Sequence, residues 1–456
     1  MMIMHYIPLT ENECRQMLET IGVSSFEDLL VDIPAARRLK QKLNLPAAMC
    51  EQTLVRYLRK LAAANTVHDE APCFLGAGAY RHYIPAAVRA MSARSEFVTA
   101  YTPYQPEISQ GSLQAMFEYQ TMMTQLTGLP VSNASMYDGA MAAAEAALLA
   151  ARTTRNSVIL VTKALNPAYR SVLETYVSNL DISLIDLPLT PSGHTDLTPL
   201  KDIDMKTVAG LMLQTPNMLG LIEDIQAAHN LLSQSKALLL VVVTEALSMA
   251  ALKPPGQSGA DVVCGEAQSL GLPVSFGGPY LGFFTVSDAL VRKMPGRVVG
   301  MTQDTQGRCG FVNTLSTREQ HIRRDKATSN ICTNQALCAV TSAMYMTAMG
   351  RRGLREVAML NMKKAAYLKS QLNSVKGITI PFDGSIFNEF TIVLPGPVES
   401  AQNYLLNKGI VAGYNLKNAY PELGNAMLVC ATETNTKEDI DQFVATVAEW
   451  VEEVSK

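Results

Sequence analysis

Two apolar, β-branched runs stand at residues 238–243 (LLLVVV) and 261–263 (DVV), with turn residues 253–259 between them. Short runs of this kind read as buried strands of a parallel sheet. The second leads into a polar, glycine-rich segment, residues 265–282. In open α/β sheets ligands bind at the carboxyl ends of strands, so this segment is expected to face a site. A site working there through a covalent imine needs a lysine amine. None is present: no Lys or Arg occurs between Lys253 and Arg292. A second feature is Asp138-Gly139, placed before the Ala-rich run 140–151. A small-residue helix start lets backbone N–H groups approach an anion. Tight packing of an Ala-rich helix on a sheet explains the same residues, and both readings stand.

Other chemistries find no pattern. There is no GxSxG and no HExxH, and the six histidines (5, 68, 82, 194, 229, 321) lie far apart. A catalytic triad or a zinc centre is therefore not expected. The glycines of GAGAY, residues 76–80, do not follow a strand and make no dinucleotide fingerprint. Residues 318–326 hold Arg318, Arg323, Arg324 and Lys326 beside His321. A solvated helical face, or ion pairs at a subunit contact, explains such a block better than substrate binding.

The elements that must position these residues form an α/β rhythm. Strand patterns at 157–161, 182–187 and 208–213 alternate with helical patterns at 112–127, 167–178 and 224–235. This argues for a mostly parallel sheet flanked by helices. Before it, residues 1–70 read as a helical arm. Thr10 with Glu13 makes a capping box opening a helix to Ile21, a second patch follows Ser24-Ser25, and a third spans 47–64. Such an arm either wraps a partner subunit or caps its own domain. After Phe284 come a strand 283–286, a helix 287–293 and a loop 295–312. Helices are expected at 335–350 and 354–372, strands at 379–382, 389–393 and 426–430, and a closing amphipathic helix at 436–454 with the only Trp, Trp450. The division expected is 1–70 arm, 71–329 large α/β domain, 330–456 small α+β domain.

Composition sets the frame. A chain of 456 residues, 48% hydrophobic, is long enough for two domains with a large core. Its 38 basic and 41 acidic residues give a net charge of −3. That balance argues against nucleic acid as a partner. Eight scattered cysteines without a CxxC favour a reducing cytoplasm. The start, MMIMHYIPLT, lacks the basic region of a signal peptide. No run of 18 apolar residues predicts a membrane span.

Five stretches carry a resemblance: AYTPYQPEISQGSLQAMFEYQT, ASMYDGAMAAAEAALLA, GLPVSFGGPYLGFF, GRCGFVNTL and TREQHIRRDKATSNICTNQAL. Together they resemble the amino-terminal half of glycine decarboxylase, the P-protein of the glycine cleavage system. The likeness runs over almost the whole chain. Some organisms divide that protein into two chains, and this length matches the first. The resemblance implies fold type I of the pyridoxal-phosphate-dependent transferases, with a large α/β domain and a smaller α+β carboxy-terminal one.

It also implies that the Schiff-base lysine belongs to a second subunit. The lysine loop of a relative maps onto residues 265–271, GEAQSLG, where Gln268 stands in a segment without an amine. The carboxylate that partners the cofactor's pyridine nitrogen maps onto Thr244 and Glu245. Tyr137, Asp138 and Gly139 map onto a vestigial phosphate cup, where Asp138 would repel a phosphate unless it caps the helix. No catalytic residue is expected on this chain alone and no metal. As fold type I dimers line each site with the neighbouring subunit, Tyr101, Tyr104, Gln105, Ser329, Asn330 and Thr333 are the candidates for lining the partner's site. Loop packing at the interface accounts for any single one of them equally well. The implied partners are subunit 2, two of each chain, the lipoylated H-protein and glycine, joined through an apolar interface above about 2,000 Å². Two alternatives remain: an independent pyridoxal enzyme using Lys163 or Lys253, and a non-catalytic scaffold docking the H-protein.

Overall fold

The computed structural model describes residues 9–41, 43–65 and 71–455. The chain forms two compact units, Met1–Thr66 and Val67–Lys456. The arm boundary expected at residue 70, the first eight residues, His5 and His68 lie outside the described residues. In the first unit Thr10 and Glu13 form the expected capping box on helix Glu11–Ile21. A 3-10 turn, Phe26–Leu30, is capped by Ser25 and Asp28 in the same way. The third helix, Glu51–Ala62, is amphipathic, and none of these elements carries a buried residue.

The second unit is built on a seven-stranded sheet. Its strands are β1 (Val131–Ser132), β2 (Val158–Thr162), β3 (Ser183–Leu187), β4 (Val208–Gln214), β5 (Leu238–Val243), β6 (Val262–Glu266) and β7 (Gly282–Val286), in the order β1-β7-β6-β5-β4-β2-β3. From β3 to β6 neighbouring strands are parallel, while β7 runs antiparallel to both β6 and β1. Strand side chains alternate faces, and β5 shows it. Leu239, Val241 and Val243 enter one core, while Leu240 and Val242 enter the other. Helix Gly139–Thr154 fills the second core with Ala142, Ala143, Ala146, Ala147 and Ala150, whose small side chains let it lie close to the sheet.

Two strand expectations change. The loop expected at 295–312 contains an antiparallel hairpin, β8 (Val298–Gln303) with β9 (Cys309–Thr314). The strand expected at 379–382 is a single bridge, Thr379 to Val393. The two helices expected at 335–350 and 354–372 are present, together spanning Ala336–Asn373 and separated by a kink at Gly350, whose φ is 61°. A second antiparallel sheet joins β10 (Glu389–Val393), β11 (Tyr414–Asn415) and β12 (Ala426–Cys430) in the order β10-β12-β11. Helices Val398–Asn407 and Lys437–Val454 close a third core around Phe390, Ile392, Phe443 and Trp450.

Candidate functional site

The carboxyl ends of β5 and β6 gather Thr244, Glu245, Glu266 and Gln268, all buried. Into this crevice comes the glycine- and tyrosine-rich segment 76–83. The expected cofactor positions therefore meet, but each is already engaged. Glu245 is 1% exposed. Its Oε2 accepts from Asn388 Nδ2 at 3.2 Å and lies 3.0 Å from His82 Nε2, and its Oε1 accepts from Leu247 N at 3.0 Å. The other ring nitrogen of His82, Nδ1, lies 2.8 Å from Glu433 Oε2. Asn361 Nδ2 donates to the same oxygen at 2.8 Å, and Tyr83 N donates to Glu433 Oε1 at 2.6 Å. Burial alone would lower the His82 pKa, but the two carboxylates outweigh it and raise it to about 10. Burial alone would raise Glu433, but the charge of His82 holds it below the ordinary carboxylate value.

Gln268, in the place of a lysine loop, spends its whole amide on backbone. Its Oε1 accepts from Tyr80 N at 2.9 Å, and its Nε2 donates to Tyr80 O at 2.9 Å and Leu272 O at 2.7 Å. Tyr80 hydroxyl in turn donates to Glu389 Oε2 at 2.9 Å, whose Oε1 accepts from Ala77 N at 2.6 Å. Gly76 is explained here. A Cβ on Gly76 would strike the Glu389 carboxylate, so only glycine lets the backbone come this close.

The expected phosphate cup is also engaged. Asp138 turns back to cap helix Gly139–Thr154, its Oδ1 accepting from Met141 N at 2.8 Å. Gly139 N donates to Glu266 Oε2 at 3.0 Å. Glu266 Oε1 accepts from Gln268 N at 3.0 Å and Leu281 N at 2.8 Å. Burial pushes Glu266 up to about 7 against the pull of these three bonds. The residues present thus do not fit pyridoxal phosphate. The positions expected to meet the phosphate, the ring nitrogen and the lysine (Gly139, Glu245 and Gln268) are all bonded within the chain, and 265–271 offers no amine. Lys163 and Lys253 are exposed. Lys364, whose amine donates to the backbone carbonyls of Glu433 and Asn435, is already committed. Among the described residues no group of three His, Cys, Asp or Glu could hold a metal, and no helix is long and apolar enough to cross a membrane.

The remaining candidates lie on the surface of the same unit. Tyr101 is 78% and Tyr104 55% exposed, and Gln105 and Asn330 are exposed as well. Arg297 Nη2 donates to Tyr104 hydroxyl at 3.1 Å, and its guanidinium carbon lies 4.8 Å from the centre of that ring, a cation–π contact. Arg318, from the basic block, is buried and donates to the carbonyls of Met294 and Gly296. Arg323, Arg324 and Lys326 are exposed. Ser329 lines the same small cleft as Gly296 and Arg318. Its hydroxyl donates to the buried Glu145 at 2.7 Å. The strip 294–297 thus holds Tyr104 through Arg297 and borders the cleft that Ser329 lines. Thr333 is half-buried beside Cys332, and no hydrogen bond joins Tyr101, Gln105 or Asn330 to the pair. Sequence reasoning missed His82, Glu433, Glu389, Glu266 and Arg297. Only the glycine spacing at 76–78 hinted at a close approach.

Known proteins place this geometry. The family profile of the glycine cleavage system P-protein matches residues 4–447. A protein of Geobacillus sp. strain WCH70 named probable glycine dehydrogenase (decarboxylating) subunit 1 is 48% identical over 444 residues, 97% of this chain and 98% of that protein. One of the same name from Moorella thermoacetica is 49% identical over 442 residues, 97% and 98% of the two chains. A crystal structure of glycine decarboxylase (P-protein) of the glycine cleavage system, in inhibitor-bound form, superposes with a TM-score of 0.88 at 42% identity, covering 97% of this chain and 99% of that one. A glutamate decarboxylase of Lactobacillus brevis, at 13% identity and a TM-score of 0.67 over 93% of this chain and 97% of its own, shares the fold alone. The fold is that of the fold type I pyridoxal-phosphate-dependent enzymes, and the chain belongs to the glycine decarboxylase P-protein family, on the side of its subunit 1 members.

Proposed function

We propose that this chain is the lysine-free subunit of a two-chain glycine decarboxylase, working in a reducing cytoplasm with a second subunit that binds pyridoxal phosphate covalently. The observation that carries the reading is the crevice at the carboxyl ends of β5 and β6. Every group there that could hold the cofactor is bonded to the chain itself, and no amine stands in residues 265–271. The names of the most similar relatives support the rest. In the net reaction glycine loses its carboxylate as CO2. Its aminomethyl carbon ends on one sulfur of the H-protein's lipoyl group, and the second sulfur of the opened disulfide ends as a thiol. Pyridoxal phosphate, held by the partner, supplies the electron sink that lets the carboxylate leave.

This chain's contribution is a wall of the partner's site. Tyr104, held by Arg297, and Ser329, held by Glu145, present hydroxyls on a fixed strip, and Thr333, Asn330, Tyr101 and Gln105 extend it. Preset dipoles of this kind stabilise developing charge without reorganising. Mixing the purified chain with its second subunit and following glycine–bicarbonate exchange tests the reading. The chain alone is expected to show no exchange, and the pair to show it. Tyr104→Phe, which removes a hydroxyl bonded to a guanidinium, is expected to lower exchange roughly tenfold. Thr333→Ala should lower it as well. Unchanged exchange in both variants removes the lining role and leaves a scaffold.

A further inference from the structure

We infer that Glu266 is a built-in substitute for a phosphate: its carboxylate takes the anion position at the start of helix Gly139–Thr154, so this half of the fold closes without a phosphorylated ligand and cannot accept one. The inference deepens the reading above and rests on it, because it explains why the chain that lacks the lysine also lacks the cofactor.

The geometry supporting it comes from three separate segments. Gly139 N, in the first turn of the helix, donates to Glu266 Oε2 at 3.0 Å, while Gln268 N and Leu281 N donate to Oε1 at 3.0 and 2.8 Å. The free N–H groups of a helix start need acceptors, and here β6 delivers one from 127 positions along the chain. The side chain is 2% exposed. The helix start also lies hard against the strand. A Cβ on Gly139 would meet Tyr169 hydroxyl and the backbone of Gly265 and Glu266. An incoming phosphate would have to displace an acceptor holding three N–H bonds and settle beside Asp138, which is itself fixed as the helix cap. Stripping water from a phosphate dianion without new donors is strongly unfavourable. The Glu266 carboxyl oxygens and the Asp138 cap therefore occupy the N–H donors that an external anion would need.

The test titrates inorganic phosphate and pyridoxal 5′-phosphate against the full-length chain, read by phosphorus NMR line broadening and by the shift in Tm. The wild type and Glu266→Gln, which keeps the shape of the plug, are expected to show no saturable site. Glu266→Ala is expected to gain one site per chain, with phosphate affinity at least ~10-fold above wild type, and phosphate should raise its Tm. A Glu266→Ala chain that keeps its circular dichroism but binds no phosphate overturns the inference. So does a saturable phosphate site on the wild type, competed by pyridoxal phosphate, which decides the matter even if the alanine variant does not fold. These outcomes are separate from the wider reading, which falls only if a cofactor is fixed to a lysine of this chain.

Discussion

Glu266 and Glu389 are carboxyl groups that burial pushes from the ordinary 4.5 up to about 7. A raised folded-state pKa means the native chain holds these protons where the unfolded chain has released them. Their contribution is present below pH 4.5 and is lost as pH rises through 7. Chemical unfolding should therefore show stability falling between pH 5 and 8. Glu266→Gln, which cannot ionise, should lose Glu266's share of that slope and fall less steeply than the wild type across the range. A constant difference between the two proteins contradicts the assignment. His82 acts at the alkaline end. Its pKa is raised from 6.5 to about 10, so its contribution is whole below 6.5 and is lost as pH passes 10. His82→Ala strands Glu245 and Glu433 with a lost cation between them. Guanidinium chloride unfolding at pH 7 should report a cost of ~3–5 kcal/mol. A loss near zero means the ring bears no charge.

At the scale of elements, the prediction concerns helix Gly139–Thr154. Asp138→Ala removes only a cap and should cost about 1 kcal/mol. Gly139→Ala drives a methyl into Tyr169 hydroxyl and the end of β6, and should cost far more. Thermal unfolding of the two variants side by side checks the order, and equal losses refute the close approach. Much of this architecture was legible. The runs at β4 and β5 are apolar on both faces, which only a sheet covered on both sides explains. The hairpin β8–β9 was not legible, because its strands are half-exposed and carry Thr, Gln and Asn among the apolar residues. The segment 76–83 read as loop and is loop. Its role stayed hidden because His82 finds its partners 163 and 351 positions away. Glu266 was hidden for the same reason. A carboxylate in a lysine-free segment gains meaning only from a helix start the sequence does not place beside it. Tyr104 and Ser329 were proposed through the family likeness, whereas Arg297, which bonds Tyr104, was not singled out.

At the scale of the whole molecule, the first unit carries the next expectation. Leu54, Val55, Leu58 and Leu61 lie on helix Glu51–Ala62 without burial. Apolar surface of this kind suits a binding face, and the arm read from the sequence either wraps a partner subunit or caps its own domain. If it wraps the partner, deleting residues 1–65 should abolish co-elution with that subunit in size-exclusion chromatography while the sheet of the remaining chain keeps its circular dichroism; undiminished co-elution removes the arm from the interface. In the proposed reading, catalysis on glycine borrows its amine from the partner. Borohydride reduction of the assembled complex, followed by peptide mapping of both chains, tests it most directly. The account predicts one pyridoxyl-lysine, on a peptide of the second subunit. A pyridoxyl group on Lys163, Lys253 or any other lysine of this chain would contradict it.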